Sequence, residues 1–156
     1  MNKEMPQEQL NKHERSRLGM AVEVEAARRN VDVFCEFVMQ DPQGNPWRQA
    51  SFHQEWQALL PLEGPCRVLI GAPRESAKTT QLAIARPIWE LGRNPNLRIK
   101  IVTNTDDLAA DIVGAIAQHI VRNPRVRQVF PHLRPASSST ASTSPTPESI
   151  SSTIAR

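Results

Sequence analysis

Short β-branched runs alternate with helix-like segments between residues 65 and 135, and this alternation constrains the fold more than any other feature of the chain. The segments are, in order, a strand (67–70), a loop, a helix (78–91), a turn (92–96), a strand (98–103), a helix (106–121) and a short helix ending near residue 130. Alternating strands and helices are typical of a parallel sheet with helices packed on it. The predicted fold class is therefore α/β, with two core strands and their helices.

The regions that flank this alternation differ from it in composition. Residues 1–29 are polar and mixed in charge, and they predict a helical arm outside the core. Residues 31–62 contain two helix-like segments separated by a turn, and the second segment carries four apolar residues on one face, Phe52, Trp56, Leu59 and Leu60. Residues 136–156 consist mostly of Ser, Thr and Pro, which predicts a disordered tail. The tail fits either an ordinary flexible end or a frameshifted or spliced end.

Composition limits the chain to one modest core, since it has 156 residues of which 39% are hydrophobic. The formal charge of +3 suits a nucleic-acid partner only weakly, because the arginines are dispersed between acids rather than concentrated in one stripe. Cys35 and Cys66 have apolar neighbours and no CxxC spacing, which predicts reduced, buried thiols in a cytoplasmic protein. No apolar run is long enough to span a bilayer, so no membrane association is expected.

The stretch GAPRESAKTT, residues 71–80, is similar to the nucleotide-binding consensus G-x-x-x-x-G-K-[ST]. In that consensus the backbone N–H groups surround phosphate oxygens at a helix N-terminus, the lysine neutralises them and the hydroxyl binds Mg²⁺. Aligning Lys78 and Thr79 places Ala72 and Ala77 where the consensus has glycine. We expect Ala77 to be close to helical and Gly71 to take the bend after the strand. The other interpretation is a surface turn that carries a lysine.

Three stretches of the chain resemble the N-terminal ATPase region of phage terminase large subunits, the motors that drive viral DNA into capsids. They are FHQEWQALL, GAPRESAKTTQLAIARPIWELGRNPNLRIKIVTNT and VRQVFPHLRP, and the resemblance covers residues 31–135. It implies a partial P-loop NTPase, with ATP and Mg²⁺ as cofactors, in the cytoplasm of a bacterial host. Its implied partners are double-stranded DNA, the terminase small subunit and the portal. The implied nucleotide-binding residues are Gln54, Ala72, Pro73, Arg74, Glu75, Ser76, Ala77, Lys78, Thr79 and Thr80.

The same resemblance implies roles for four of these side chains. Lys78 would contact the β and γ phosphates, and Thr79 would bind the metal ion. Arg74 would stabilise the transferring phosphoryl group as an arginine finger, the one implied catalytic residue, although an exposed arginine without a phosphate partner explains it equally. Gln54 would recognise the adenine edge, with Phe52 or Trp56 as an apolar wall. Gln54 is equally explained as a polar residue on an amphipathic helix.

Two features depart from the family pattern. Pro87 should kink the helix after the loop or end its first part near Arg86. ATP hydrolysis also requires an apolar strand that ends directly in an acidic residue, whereas Asp106 and Asp107 fall on the following helix, where Thr105 can act as their N-cap. The prediction is therefore an ATPase fragment that binds ATP without hydrolysing it. The alternative is a small basic regulatory or DNA-binding module without enzymatic activity.

Overall fold

The computed structural model describes residues 7–41, 43–60, 64 and 67–134. Its helices are α1 (Gln7–Arg29), α2 (Val31–Val38), α3 (Ser51–Ala58), a π-helix (Thr79–Ala85), α4 (Arg86–Arg93), α5 (Asp106–Arg122) and α6 (Pro124–Val129). The helices predicted over 78–91, over 106–121 and up to residue 130 are confirmed. The tail predicted over 136–156 and the thiol of Cys66 lie outside the described residues.

The prediction of an α/β fold with a parallel sheet is wrong for the part of the chain that the structure describes. Residues 67–70 and 97–103 have no regular secondary structure and belong to no sheet, and the one β-bridge in the described part of the chain is antiparallel and joins Gln40 to Pro46. β-Branched residues favour extended backbone without supplying a neighbouring strand, and two short strands alone are marginal in water. Leu69 and Val102 consequently remain 97% and 77% exposed.

The core is built by helices packed against helices. Ala27 from the last turn of α1, Phe34 from α2 and Trp89 from α4 are almost completely buried, together with Phe130 after α6. The Phe34 and Phe130 rings lie 5.7 Å apart, and the indole N–H of Trp89 donates to the Ala27 carbonyl at 3.0 Å. The segment predicted as an arm is thus helical, as expected, but its last turn belongs to the core.

Two arginines satisfy carbonyl groups at helix ends. Arg28 Nε on α1 donates to the Val129 carbonyl at 2.6 Å, and Arg125 Nη1 on α6 donates to the Phe37 carbonyl at 2.8 Å. The last carbonyls of a helix have no partner within it, so these contacts stabilise the ends of α6 and α2. Two of the dispersed arginines, Arg28 and Arg125, therefore stabilise the fold.

Pro87 changes the helix without interrupting it. The first part is a π-helix in which the Arg86 N–H donates to the Gln81 carbonyl, five residues back. The α-helical part begins at Arg86, so Pro87 lies in the first turn of α4, where its missing N–H is tolerated. The prediction that the first part ends near Arg86 is confirmed. Thr105 is confirmed as the N-cap of α5, since its hydroxyl accepts from the Leu108 N–H at 3.4 Å.

Candidate functional site

The loop at residues 71–78 has a backbone conformation suited to anions. Ala77 is left-handed, with φ +58°, and Lys78 after it is right-handed, with φ −51° and ψ −48°. A left-handed residue beside a right-handed residue turns successive N–H groups toward one concave side, which is the geometry of backbone anion sites. The expectation that Ala77 is near-helical is wrong. Glycine is favoured here in the consensus because an alanine with positive φ costs about 1–2 kcal/mol.

Hydrogen bonds hold the loop at Ser76. The Ser76 hydroxyl donates to the Pro73 carbonyl at 2.8 Å, which closes the loop on itself. The Ser76 carbonyl lies 3.0 Å from His53 Nε2 on α3, and the Ala77 carbonyl accepts from the Gln81 N–H at 3.0 Å. The loop is therefore fixed to α3 on one side and to the π-helix on the other.

His53 is buried, with 8% of its surface exposed. The Ala50 N–H donates to its Nδ1 at 3.0 Å, which makes Nδ1 an acceptor. The proton of the neutral ring therefore resides on Nε2, and Nε2 donates to the Ser76 carbonyl. Both ring nitrogens are used, one by the start of α3 and the other by the loop.

A buried polar network continues from α3 beneath the π-helix. Gln57 Nε2 contacts the Gln81 carbonyl at 3.4 Å, and Arg86 Nη1 donates to Gln57 Oε1 at 3.1 Å. Arg86 Nε also donates to Glu90 Oε1 at 2.7 Å. Gln49 Nε2 reaches Gln81 Oε1 at 2.9 Å, so the side chain of Gln81 is bound from two sides. Polar contacts therefore join α3 to the helix that follows the loop.

This network was not predicted from the sequence, because the prediction for α3 rested on its apolar residues. Phe52 and Leu59 are exposed in the structure, whereas His53 and Gln57 face the interior. The available signal was the spacing of His53 and Gln57, which lie four residues apart and hence on one helix face.

The side chains predicted to bind nucleotide fall into two groups by exposure. Exposed are Gln54, Pro73, Arg74, Glu75, Lys78 and Thr79, and half-buried are Ala72, Ser76, Ala77 and Thr80. Neither Arg74 nor Lys78 forms an ion pair within the described ranges, so both charges are available to a ligand. Thr79 is the first residue of the π-helix, directly after Lys78. No hydrogen bond joins Gln54 to the loop in the part of the chain that the structure describes.

An aromatic cluster lies beside the loop on α3. The Phe52 ring is 5.1 Å from the Trp56 ring and 4.2 Å from the imidazole of His53, measured between centroids. Phe52 is exposed and Trp56 half-buried, so aromatic surface remains open next to the residue that contacts Ser76.

The titratable groups near this site offer neither a thiol nucleophile nor a metal cluster. Burial raises the pKa of Cys35 to about 12, so its thiol stays protonated, in agreement with the expected buried thiol. Burial also raises the pKa of Asp32 on α2. Within the described residues, no three His, Cys, Asp or Glu side chains group closely enough to hold a metal ion. Asp106 and Asp107 are exposed in the first turn of α5.

Comparisons with protein-family models, with curated proteins and with solved structures found no match to this chain. Among the described residues, no helix combines the length and the apolar character needed to cross a bilayer.

Proposed function

We propose that residues 71–80 bind the phosphate groups of a nucleotide, and that the ligand is ATP with Mg²⁺. The observation that carries the proposal is the left-handed Ala77 followed by the right-handed Lys78, in a loop held at Ser76 by His53. This backbone directs N–H groups to one side, as oxyanion binding requires. The parallel sheet that usually accompanies such a loop is not part of the proposal.

The exposed side chains of the loop supply the charge that a triphosphate needs. Lys78 neutralises the β and γ oxygens, and Arg74 approaches the terminal phosphate from the other end of the loop. The Thr79 hydroxyl would hold the Mg²⁺ ion, which would neutralise part of the phosphate charge. Support comes from the exposure of all three side chains and from the free charges of Arg74 and Lys78 within the described residues.

The base of the nucleotide occupies the α3 side of the loop. Phe52 and Trp56 offer an aromatic surface for stacking, and Gln54 presents an amide that can pair with the adenine edge. Gln54 lies next to His53 in the chain, and its exposed position leaves the amide free to turn toward a bound base.

We further propose that the chain serves as the nucleotide-binding segment of a phage or prophage DNA-packaging terminase large subunit, in the bacterial cytoplasm. The support is the resemblance of residues 31–135 to that region. Double-stranded DNA, the small terminase subunit and the portal are the partners that this role implies. ATP is bound but not hydrolysed, because hydrolysis requires an acidic residue at the end of a strand, whereas Asp106 and Asp107 lie in the first turn of α5 and the described residues form no strand.

Calorimetry with Mg-ATP tests the nucleotide proposal. We expect weak binding to the wild-type chain, abolished by Lys78→Ala and reduced by Thr79→Ala only when Mg²⁺ is present, because Thr79 acts through the metal. A phosphate-release assay should remain at the uncatalysed background. Equal affinity of wild type and Lys78→Ala would refute nucleotide binding at this loop, and Lys78-dependent ATP turnover would refute binding without hydrolysis.

The strength of binding to duplex DNA distinguishes the proposed terminase segment from the alternative, a small basic DNA-binding module. Arg28 and Arg125 donate hydrogen bonds to carbonyl groups at helix ends, so they are less available to DNA phosphates. We therefore expect the chain to bind duplex DNA only weakly, without sequence preference, and to lose this binding near physiological salt. Tight binding that persists at that salt concentration would favour the basic module instead.

A further inference from the structure

We infer that His53 is a positioning residue for phosphate binding, which holds the Ser76 carbonyl so that the Ala77 N–H faces the ligand. The inference rests on the proposed nucleotide function and adds to it a residue outside the loop. Its basis is the 3.0 Å contact between His53 Nε2 and the Ser76 carbonyl, made by a buried ring whose other nitrogen is also bound.

The planarity of the peptide bond connects this contact to the anion side of the loop. In a trans peptide the C=O of one residue and the N–H of the next point in opposite directions. The structure has no cis peptide in its described part, and the Ser76 carbonyl points at α3. The Ala77 N–H therefore points away from α3, and release of the carbonyl would allow this peptide to rotate and turn the donor away from the phosphate.

The contact also stabilises an unfavourable backbone conformation. Ala77 is left-handed, a conformation that alanine disfavours, and the hydrogen bond from His53 fixes the peptide plane that precedes it. The bond from His53 thus helps to hold a conformation that a glycine would adopt without strain. In Ala77→Gly the left-handed conformation at residue 77 should therefore depend less on the hydrogen bond from His53.

The two ring nitrogens of His53 have different roles, and different substitutions remove one role or the other. Nδ1 accepts from the Ala50 N–H at the start of α3, whereas Nε2 donates to the loop. In His53→Asn the side-chain oxygen can replace Nδ1 but no donor reaches Ser76. In His53→Gln the longer amide can place an N–H near the position of Nε2, and the acceptor for Ala50 is lost.

Calorimetry with Mg-ATP on wild type, His53→Asn, His53→Gln and Lys78→Ala tests the inference. We expect His53→Asn to weaken affinity about tenfold, in line with one misdirected hydrogen bond to a charged ligand. His53→Gln should bind more tightly than His53→Asn, and His53→Asn combined with Ala77→Gly should recover most of the wild-type affinity. Nitrogen-15 spectra of the wild-type imidazole should show the proton of His53 on Nε2.

The outcomes distinguish this inference from the proposed function. Binding that does not depend on Lys78 overturns both. Lys78-dependent binding with equal affinities in His53→Asn and His53→Gln, or without recovery by Ala77→Gly, overturns only the positioning role. Should the variants fail to fold, the wild-type spectrum still decides, because a proton on Nδ1 would contradict the inference.

Discussion

His53 Nε2 donates to the Ser76 carbonyl at 3.0 Å and so joins α3 to a loop that lies 23 residues further along the chain. The contact places the loop next to α3, the helix that carries the aromatic cluster of Phe52 and Trp56. It also shows how a loop without the consensus glycines keeps a left-handed residue at position 77, because a side chain from another helix fixes the neighbouring peptide.

Gly92→Ala should destabilise the protein by about 1–3 kcal/mol through overpacking. A methyl group at this position would lie 2.2 Å from Phe130 Cδ2, and Phe130 is itself buried in the helical core. Urea unfolding followed by circular dichroism measures the loss.

Gly114→Ala is the matched control for Gly92→Ala. Gly114 is exposed within α5 and a methyl group there meets no atom within 4 Å, so the alanine should stabilise the protein by about 0.5–1 kcal/mol. Equal effects of the two substitutions on the free energy of unfolding would contradict the packing of Phe130 on α4.

Arg86→Met should destabilise the protein by about 3–5 kcal/mol, because it leaves Glu90 and the carbonyl oxygens of Gln57 and Leu60 without their donor. Arg86→Lys should restore only part of this, since an ammonium group cannot reproduce the planar fork of the guanidinium. Arg29→Met is the control, because Arg29 pairs with Glu25 at the surface and its loss should cost less than about 1 kcal/mol. A similar melting temperature for Arg86→Met and Arg29→Met would argue against the buried network.

The helices could be predicted from the sequence because their signals are local. The Thr105 cap, the periodicity of α5 and the position of Pro87 each depend on residues within one or two turns. Whether the two apolar segments form a sheet could not be predicted in the same way, because strand pairing depends on residues distant in sequence. Apolar β-branched residues at 67–70 and 98–103 favour extended backbone, but a sheet also needs neighbouring strands, and the structure forms no strand at either segment.

The side chains of the candidate site could be predicted from the sequence, but the contact that holds its loop could not. The lysine and hydroxyl of the loop are visible in the pattern around Lys78 and Thr79. The contact that holds the loop comes from His53, whose burial depends on how α3 packs; the spacing of His53 and Gln57 places them on one helix face but does not show that this face is buried. The left-handed backbone of Ala77 was missed for the same reason, since alanine alone disfavours it.

Lowering the pH from about 7.5 to about 5.5 should destabilise the protein through His119. Burial lowers the pKa of His119 below its ordinary value of 6.5, and its Nδ1 lies 3.1 Å from the Asn123 amide nitrogen. The unfolded chain therefore binds the proton first, so stability is intact above pH 6.5 and is lost as the pH falls toward the lowered pKa. His119→Gln should flatten this part of the melting-temperature profile. An unchanged slope would contradict the prediction.

The most direct test of phosphate binding at the loop is a nitrogen-15 amide titration of the wild-type chain with Mg-ATP. We expect the largest shift changes at the amides of Ala77 and Lys78 and smaller changes at the Phe52 and Trp56 amides of α3, and we expect Lys78→Ala to remove them. Shift changes confined to another part of the molecule, such as the groove lined by Trp47, Phe37 and Arg125, or changes that persist in Lys78→Ala, would contradict phosphate binding at the loop.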